Sequence, residues 1–144
     1  MKQIGNSGRT LGWEMIMIEI WGRPMPWKAP TVTKRGAYSA HSERKMQIQW
    51  QMKTLFNRTP FEGPIFLEVL YFFAVPKNTS FVKKKQMLNG MIKHTKRPDR
   101  GNLDKLLEDC GNGILWKDDS QNYKILSEKS WGEEEKTIIK IHED

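Results

Sequence analysis

Cysteine is nearly absent: Cys110 is the one thiol in 144 residues, so no intramolecular disulfide can form. That suits a reducing compartment rather than a small secreted domain stapled by bridges. Histidine is scarce too, at three residues, and beside a lone thiol it excludes a standard structural zinc site. No run of about 18 apolar residues occurs, so no membrane-spanning helix is expected. The opening stretch MKQIGNSGRTLGWEMIMIEIW is too polar at its start and too short in its apolar part for a secretory signal. A cytoplasmic protein without membrane attachment is the expectation. Repeats and low-complexity linkers are lacking as well. Acid is missing where base is plentiful: residues 23–105 hold 17 of the 24 Lys and Arg but 5 of the 17 Asp and Glu. From residue 106 onward the balance reverses, with 10 acidic residues against 5 basic. A basic body beside an acidic cluster, at net charge +7, points to a polyanion partner. The competing reading is solvated surface charge that binds nothing.

A chain 38% hydrophobic and 28% charged at this length suits one globular domain with a real core. Residues 1–14 lack periodicity and read as a loose extension, which leaves 15–144 as the domain. Met15–Trp21 reads as a strand. Gly22–Gly36, broken by three prolines, reads as an extended loop carrying Arg23, Lys28, Lys34 and Arg35. A helix follows to Phe56, with Ser39 or Ser42 as its cap and Met46, Ile48, Trp50, Met52, Leu55 and Phe56 on its apolar side. Pro64–Phe73 is almost wholly apolar and predicts a central strand buried on both faces. Lys83-Lys84-Lys85 falls in a turn or short helix. Leu103, Leu106, Leu107 and Cys110 recur at i, i+3, i+4 and i+7, one face of a helix that Gly111 and Gly113 stop. Ile114–Lys117, the turn Asp118–Gln121 and Asn122–Trp131 predict a hairpin, and residues 137–141 a last strand.

The chemistry concentrates in two acidic stretches. Asp99 follows a proline just before the helix, with Asn102 as a candidate N-cap. Asp118 and Asp119 sit on the predicted hairpin turn, and a helix start and a hairpin can be brought together. Phosphodiester hydrolysis uses hard divalent cations held by carboxylates near a positioned water. Lys105, one turn into the helix, is placed to offset phosphate charge. Each piece has a plain structural alternative. Asp99 can serve as a helix cap, Asp118-Asp119-Ser120-Gln121 as turn chemistry, and Lys105 with Asp109 as a surface i,i+4 pair. Trp50 and Trp116 are assigned to the core rather than to base stacking.

Taken together the two stretches resemble the RusA-type Holliday-junction resolvase family. Its signature looks like Pro-Asp-x-Asp-Asn-Leu-x-Lys, a helix, then Gly-x-x-x-x-Asp-Asp-Ser-Gln. This chain reads PDRGNLDK at 98–105 and GILWKDDSQ at 113–121. The resemblance spans about residues 16–142 and includes GRPMPWKAPTVTKRGAYS near the start and the YFFAVPK strand and exit. It implies an α+β fold, one domain with a small mixed sheet packed with helices, and a homodimer. It also implies Mg²⁺-dependent cutting of four-way DNA junctions by paired nicks, with Mn²⁺ as a substitute. By position Asp99 and Asp119 match metal-binding aspartates, with Asp118 beside the latter, and Lys105 matches the lysine that supports catalysis. Gly101 stands where the family carries a second catalytic aspartate. Asp104, three residues on, is the candidate replacement ligand. On this reading Lys83, Lys84, Lys85, Lys96, Arg97 and Arg100 grip backbone phosphates. The rival is a catalytically inactive junction-binding protein of the same fold, which Gly101 favours. A structural accessory protein with basic solvated faces is a third, weaker reading.

Overall fold

The computed structural model describes residues 14–29 and 40–144. The loose extension expected over 1–14, and Lys34, Arg35 and Ser39, lie outside the described residues except for the backbone of Glu14. The elements are strand β1 (Glu14–Trp21), helix α1 (Ala40–Phe56), strand β2 (Ile65–Ala74), helices α2 (Phe81–Leu88) and α3 (Arg100–Gly111), and strands β3 (Asn122–Gly132) and β4 (Lys136–Glu143). The four strands form one mixed sheet in the order β1-β4-β2-β3. β4 is antiparallel to both β1 and β2, whereas β2 and β3 run parallel. This is the expected α+β class.

Alternation along the strands sets the layers. In β2, Ile65, Leu67, Val69, Tyr71 and Phe73 are buried, and the residues between them are partly exposed. The register puts Leu67 beside Ile141 and Val69 beside Ile139, so β4 buries the same face. The helices cover that face, and the other carries exposed Met17, Trp21 and Leu126. β2 is therefore not buried on both faces. Its apolar run is longer than its burial, because aromatic and branched residues also serve a half-open sheet surface.

α1 buries Ile48, Met52 and Phe56 at i, i+4 and i+8. Trp50 is 68% exposed, so its assignment to the core is corrected: it falls on the opposite side of α1, with Met46. α1 begins at Ala40, ahead of Ser42, which therefore does not cap it. The lysine triplet lies in α2, capped by Ser80 through the Lys83 N–H.

The predicted hairpin does not form. Ile114–Lys117 curls back under α3, with Ile114 and Leu115 donating their N–H groups to the Gly111 carbonyl at 3.0 and 2.8 Å. Phe61 holds the segment from the other side, donating to Leu115 O and accepting from the Lys117 N–H. Leu115 and Trp116 are fully buried there. Asp119–Gln121 is a 3-10 turn with Asp118 as its cap, and β3 pairs in parallel with β2. A local turn signal lost to a distant partner, because β2 offers β3 a full apolar edge that a four-residue strand cannot match.

Gly111 permits this packing. A Cβ there would meet the Trp116 ring at 2.5 Å. Gly111→Ala is expected to destabilise the fold by about 1–3 kcal/mol through overpacking, read as a lower urea midpoint at unchanged slope.

Candidate functional site

Asp99 is the N-cap of α3: its Oδ1 accepts the Asn102 N–H at 3.1 Å. Asn102, expected as the cap, sits inside the helix, because the extended backbone at Asp99 (φ −74°, ψ 151°) makes Asp99 the residue whose side chain meets the free N–H groups of the first turn. Lys129 on β3 fixes the approach to Asp99. Its ammonium donates to the carbonyls of Lys96 at 2.7 Å and Pro98 at 2.9 Å. Burial lowers the pKa of Lys129, and the Asp99 carboxylate opposes that shift.

A second tie comes from the segment after β1. The Trp27 N–H donates to the Asn102 carbonyl at 2.8 Å. The Lys105 ammonium rests 3.4 Å from the centroid of the Trp27 ring, a cation–π contact that directs it toward that segment. Trp27, Asp99 and Asn102 line one cleft of about 580 Å³, with Arg23, Lys28 and Arg97 among its other walls. Arg23 is already paired with Glu135 at 2.9 Å, and Lys28 and Arg97 beside one carboxylate and an apolar floor suit a phosphate-bearing ligand. The expected Lys105–Asp109 pair is replaced by the contact with Trp27.

The second acidic stretch lies elsewhere. Asp118 accepts the Ser120 N–H at 3.1 Å, and its own N–H is bound by the Gln121 side chain at 2.9 Å. Hydrogen bonds from the Ser120 side chain and backbone lower the Asp118 pKa from the usual carboxylate value. Asp119 faces the C-terminal end of α3, where the Asn112 side chain donates to it at 3.4 Å. α3 is 12 residues long, about 18 Å at helical rise. Asp99 and Asp119 therefore mark opposite ends of α3, and the expectation that a helix start and a hairpin bring them together does not hold within one chain. Among the described residues no three Asp, Glu, His or Cys side chains converge to hold a metal ion. Within one copy, Asp99 and the Asp118-Asp119 pair do not form a single carboxylate site.

Asp104 is 8% exposed and committed to protein partners. It accepts from the Tyr71 hydroxyl at 2.7 Å, the Ser127 hydroxyl at 2.8 Å and Arg100 at 3.2 Å. Arg100 also donates to Ser127 at 2.8 Å, which turns its guanidinium inward. Burial, with Asp104 beside it, raises the Tyr71 pKa well above the phenolic norm. The remaining predicted phosphate grips separate: Arg97 lines the Asp99 cleft, Lys83 and Lys96 line another basin, and Lys84 and Lys85 are exposed on α2.

Sequence reasoning missed Trp27, Lys129, Ser127 and Glu108. Burial pushes the Glu108 carboxyl up; a hydrogen bond from Asn122 opposes this, and Asp119, Asp104 and Asp109 add to it. The signal for Ser127 and Lys129 is parity. They share an inward face with Ile125 and Trp131, and a polar residue at an inward position needs a partner. Trp27 gives no such signal, being one aromatic among prolines.

Residues 22–142 match the sequence profile of the family described as endodeoxyribonuclease RusA. The chain is also 32% identical over 83 residues to the uncharacterized protein YqaN of Bacillus subtilis (strain 168), a match covering 56% of this chain and 58% of that relative.

Proposed function

The chain belongs to the RusA endodeoxyribonuclease family, and from that premise we propose that it is a structure-specific nuclease acting on four-way DNA junctions as a homodimer. The observation that carries the reading is the start of α3. Lys105 rests on Trp27 there, and Trp27 shares with Asp99 a cleft walled by Arg23, Lys28 and Arg97. Arg97 and its neighbours draw in the phosphate backbone, and Lys105 offsets charge that builds on the phosphorus. Asp99 sets the cleft's single negative edge. Asp118 and Asp119 are the second acidic element, one helix length away. Carboxylates from both ends can share a cation only if a second copy supplies the other end, and a twofold dimer provides two such pairings. A junction-binding protein without cleavage is the second reading. Gly101 favours it, since the first acidic end holds one carboxylate where the family pattern has two.

A labelled four-way junction incubated with and without Mg²⁺ separates the readings. Nicks in opposite strands with Mg²⁺ are expected of the nuclease, and tight binding without product of the second reading. Absence of binding overturns both. A monomer by sedimentation at working concentration overturns the paired arrangement.

A further inference from the structure

The chain between β2 and α3 folds around a basin of about 430 Å³ outside the Asp99 cleft. One wall is the start of α2, from Thr79 to Lys83, and the other is the loop Ile92–Lys96. Three ammonium-bearing side chains, Lys83, Lys93 and Lys96, line it, and among the described residues no carboxylate does. Thr79, Ser80 and Thr95 line it as well, the Ser80 hydroxyl also accepting the Lys83 N–H as the cap of α2. α2 has no acidic residue in its first turn, so the positive end of its dipole is not offset there.

Trp131 lines the same basin and is 9% exposed. Its indole N–H is a buried donor without an acceptor. The Trp131 ring leans on His94, which stacks in turn on Phe73, each pair 4.3 Å between centroids. The loop wall is pinned too, because Lys129 holds the Lys96 and Pro98 carbonyls. Lys96 projects from that pinned loop, and Lys83 sits one turn before buried Met87 on α2.

A concave, pinned site with three cations and three hydroxyl-bearing residues suits a compact anion rich in acceptors. We propose that this basin binds a backbone phosphodiester of a DNA arm through Lys83, Lys93 and Lys96, with the Trp131 ring as part of its wall. The inference rests on the DNA-binding reading above and divides the lysine triplet, because Lys83 lines the basin and Lys84 and Lys85 do not. The dipeptide Lys96-Arg97 puts one cation in the basin and one in the Asp99 cleft, so a single strand can run from one to the other.

The test compares K83Q/K93Q/K96Q with K84Q/K85Q in the full-length chain, by junction binding at several salt concentrations. Melting curves confirm that both sets stay folded, as substitutions at exposed lysines should allow. The basin set is expected to lose about 10-fold or more in affinity and to flatten the log–log salt slope by about 0.9 for each phosphate left unneutralised. The control set is expected to keep the wild-type slope. Equal losses per lysine in both sets overturn the basin and leave the DNA reading standing. Failure of the wild type to bind overturns both. The Trp131 indole resonance, assigned with W131F, is expected to move when junction or duplex DNA is added. A resonance that responds to inorganic phosphate and not to DNA overturns the backbone assignment.

Discussion

Asp104→Ala is expected to destabilise the fold by about 3 kcal/mol, measured as a fall in the urea midpoint at constant slope. The carboxylate answers three donors at once: the Tyr71 hydroxyl, the Ser127 hydroxyl and the Arg100 guanidinium. Tyr71 is 2% exposed, so its hydroxyl has no water to turn to when the acceptor goes. The side chains also join three elements, α3, β2 and β3. Tyr71→Phe removes one donor and leaves the other two bonds, so about 1 kcal/mol is expected from it. The two changes act on a single hydrogen bond, and the double variant should lose less than the sum of the single ones. Losses that simply add would show that the 2.7 Å bond contributes nothing to stability. The same geometry bears on catalysis. Asp104→Asn weakens the support beneath the α3 start, so lost cleavage in that variant counts as evidence of a ligand role only if the melting temperature is unchanged.

Gly101→Asp is expected to raise Mg²⁺-dependent junction cleavage by about 10–100-fold, the range by which groups supporting a metal site tune affinity or activity. A Cβ at Gly101 meets nothing within 4 Å, and the residue is not among the positive-φ glycines. The position lies in the first turn of α3, two residues past the Asp99 cap. A negative charge there suits the helix dipole and contributes about 0.3–1 kcal/mol. The variant should therefore melt no lower than wild type. An inert wild type with an active variant identifies a nuclease weakened at one position. A stable variant that binds junctions yet cuts none, with Mg²⁺ or Mn²⁺, removes the α3 start from the reacting centre.

Much of this was legible because it was local. The i, i+3, i+4, i+7 pattern of Leu103, Leu106, Leu107 and Cys110 predicted α3 and its buried face, and all four residues are buried. The cap of α3 was placed at Asn102 and lies three residues earlier at Asp99, the plain alternative for that carboxylate, and the lysines of α2 fall in the turn or short helix expected of them. Failures came where sequence-distant partners decide. Ile114-Leu115-Trp116 is apolar enough for a strand, but Gly111 and Phe61 claim its hydrogen bonds. Trp50 and Ile48 differ by about 200° of helical rotation, and no composition rule says which side of α1 faces the sheet. The separation of Asp99 from Asp119 was hidden for the same reason. Both motifs flank one helix, and whether they share an end depends on how the chain leaves it.

The placement of β4 has a bearing on how the protein is made. β1 and β2 do not touch as neighbours; β4 lies between them and pairs with both. Residues 136–143 are synthesised after everything else in the sheet, so β1 leaves the ribosome well before its hydrogen-bonding partner exists. Until then its outer-face Met17 and Trp21, and the β2 edge that β4 will cover, remain open to other chains. The sheet cannot close from its N-terminal side. Its assembly waits on the last strand, and a nascent chain stalled short of that strand carries two unpaired edges instead of a partial domain.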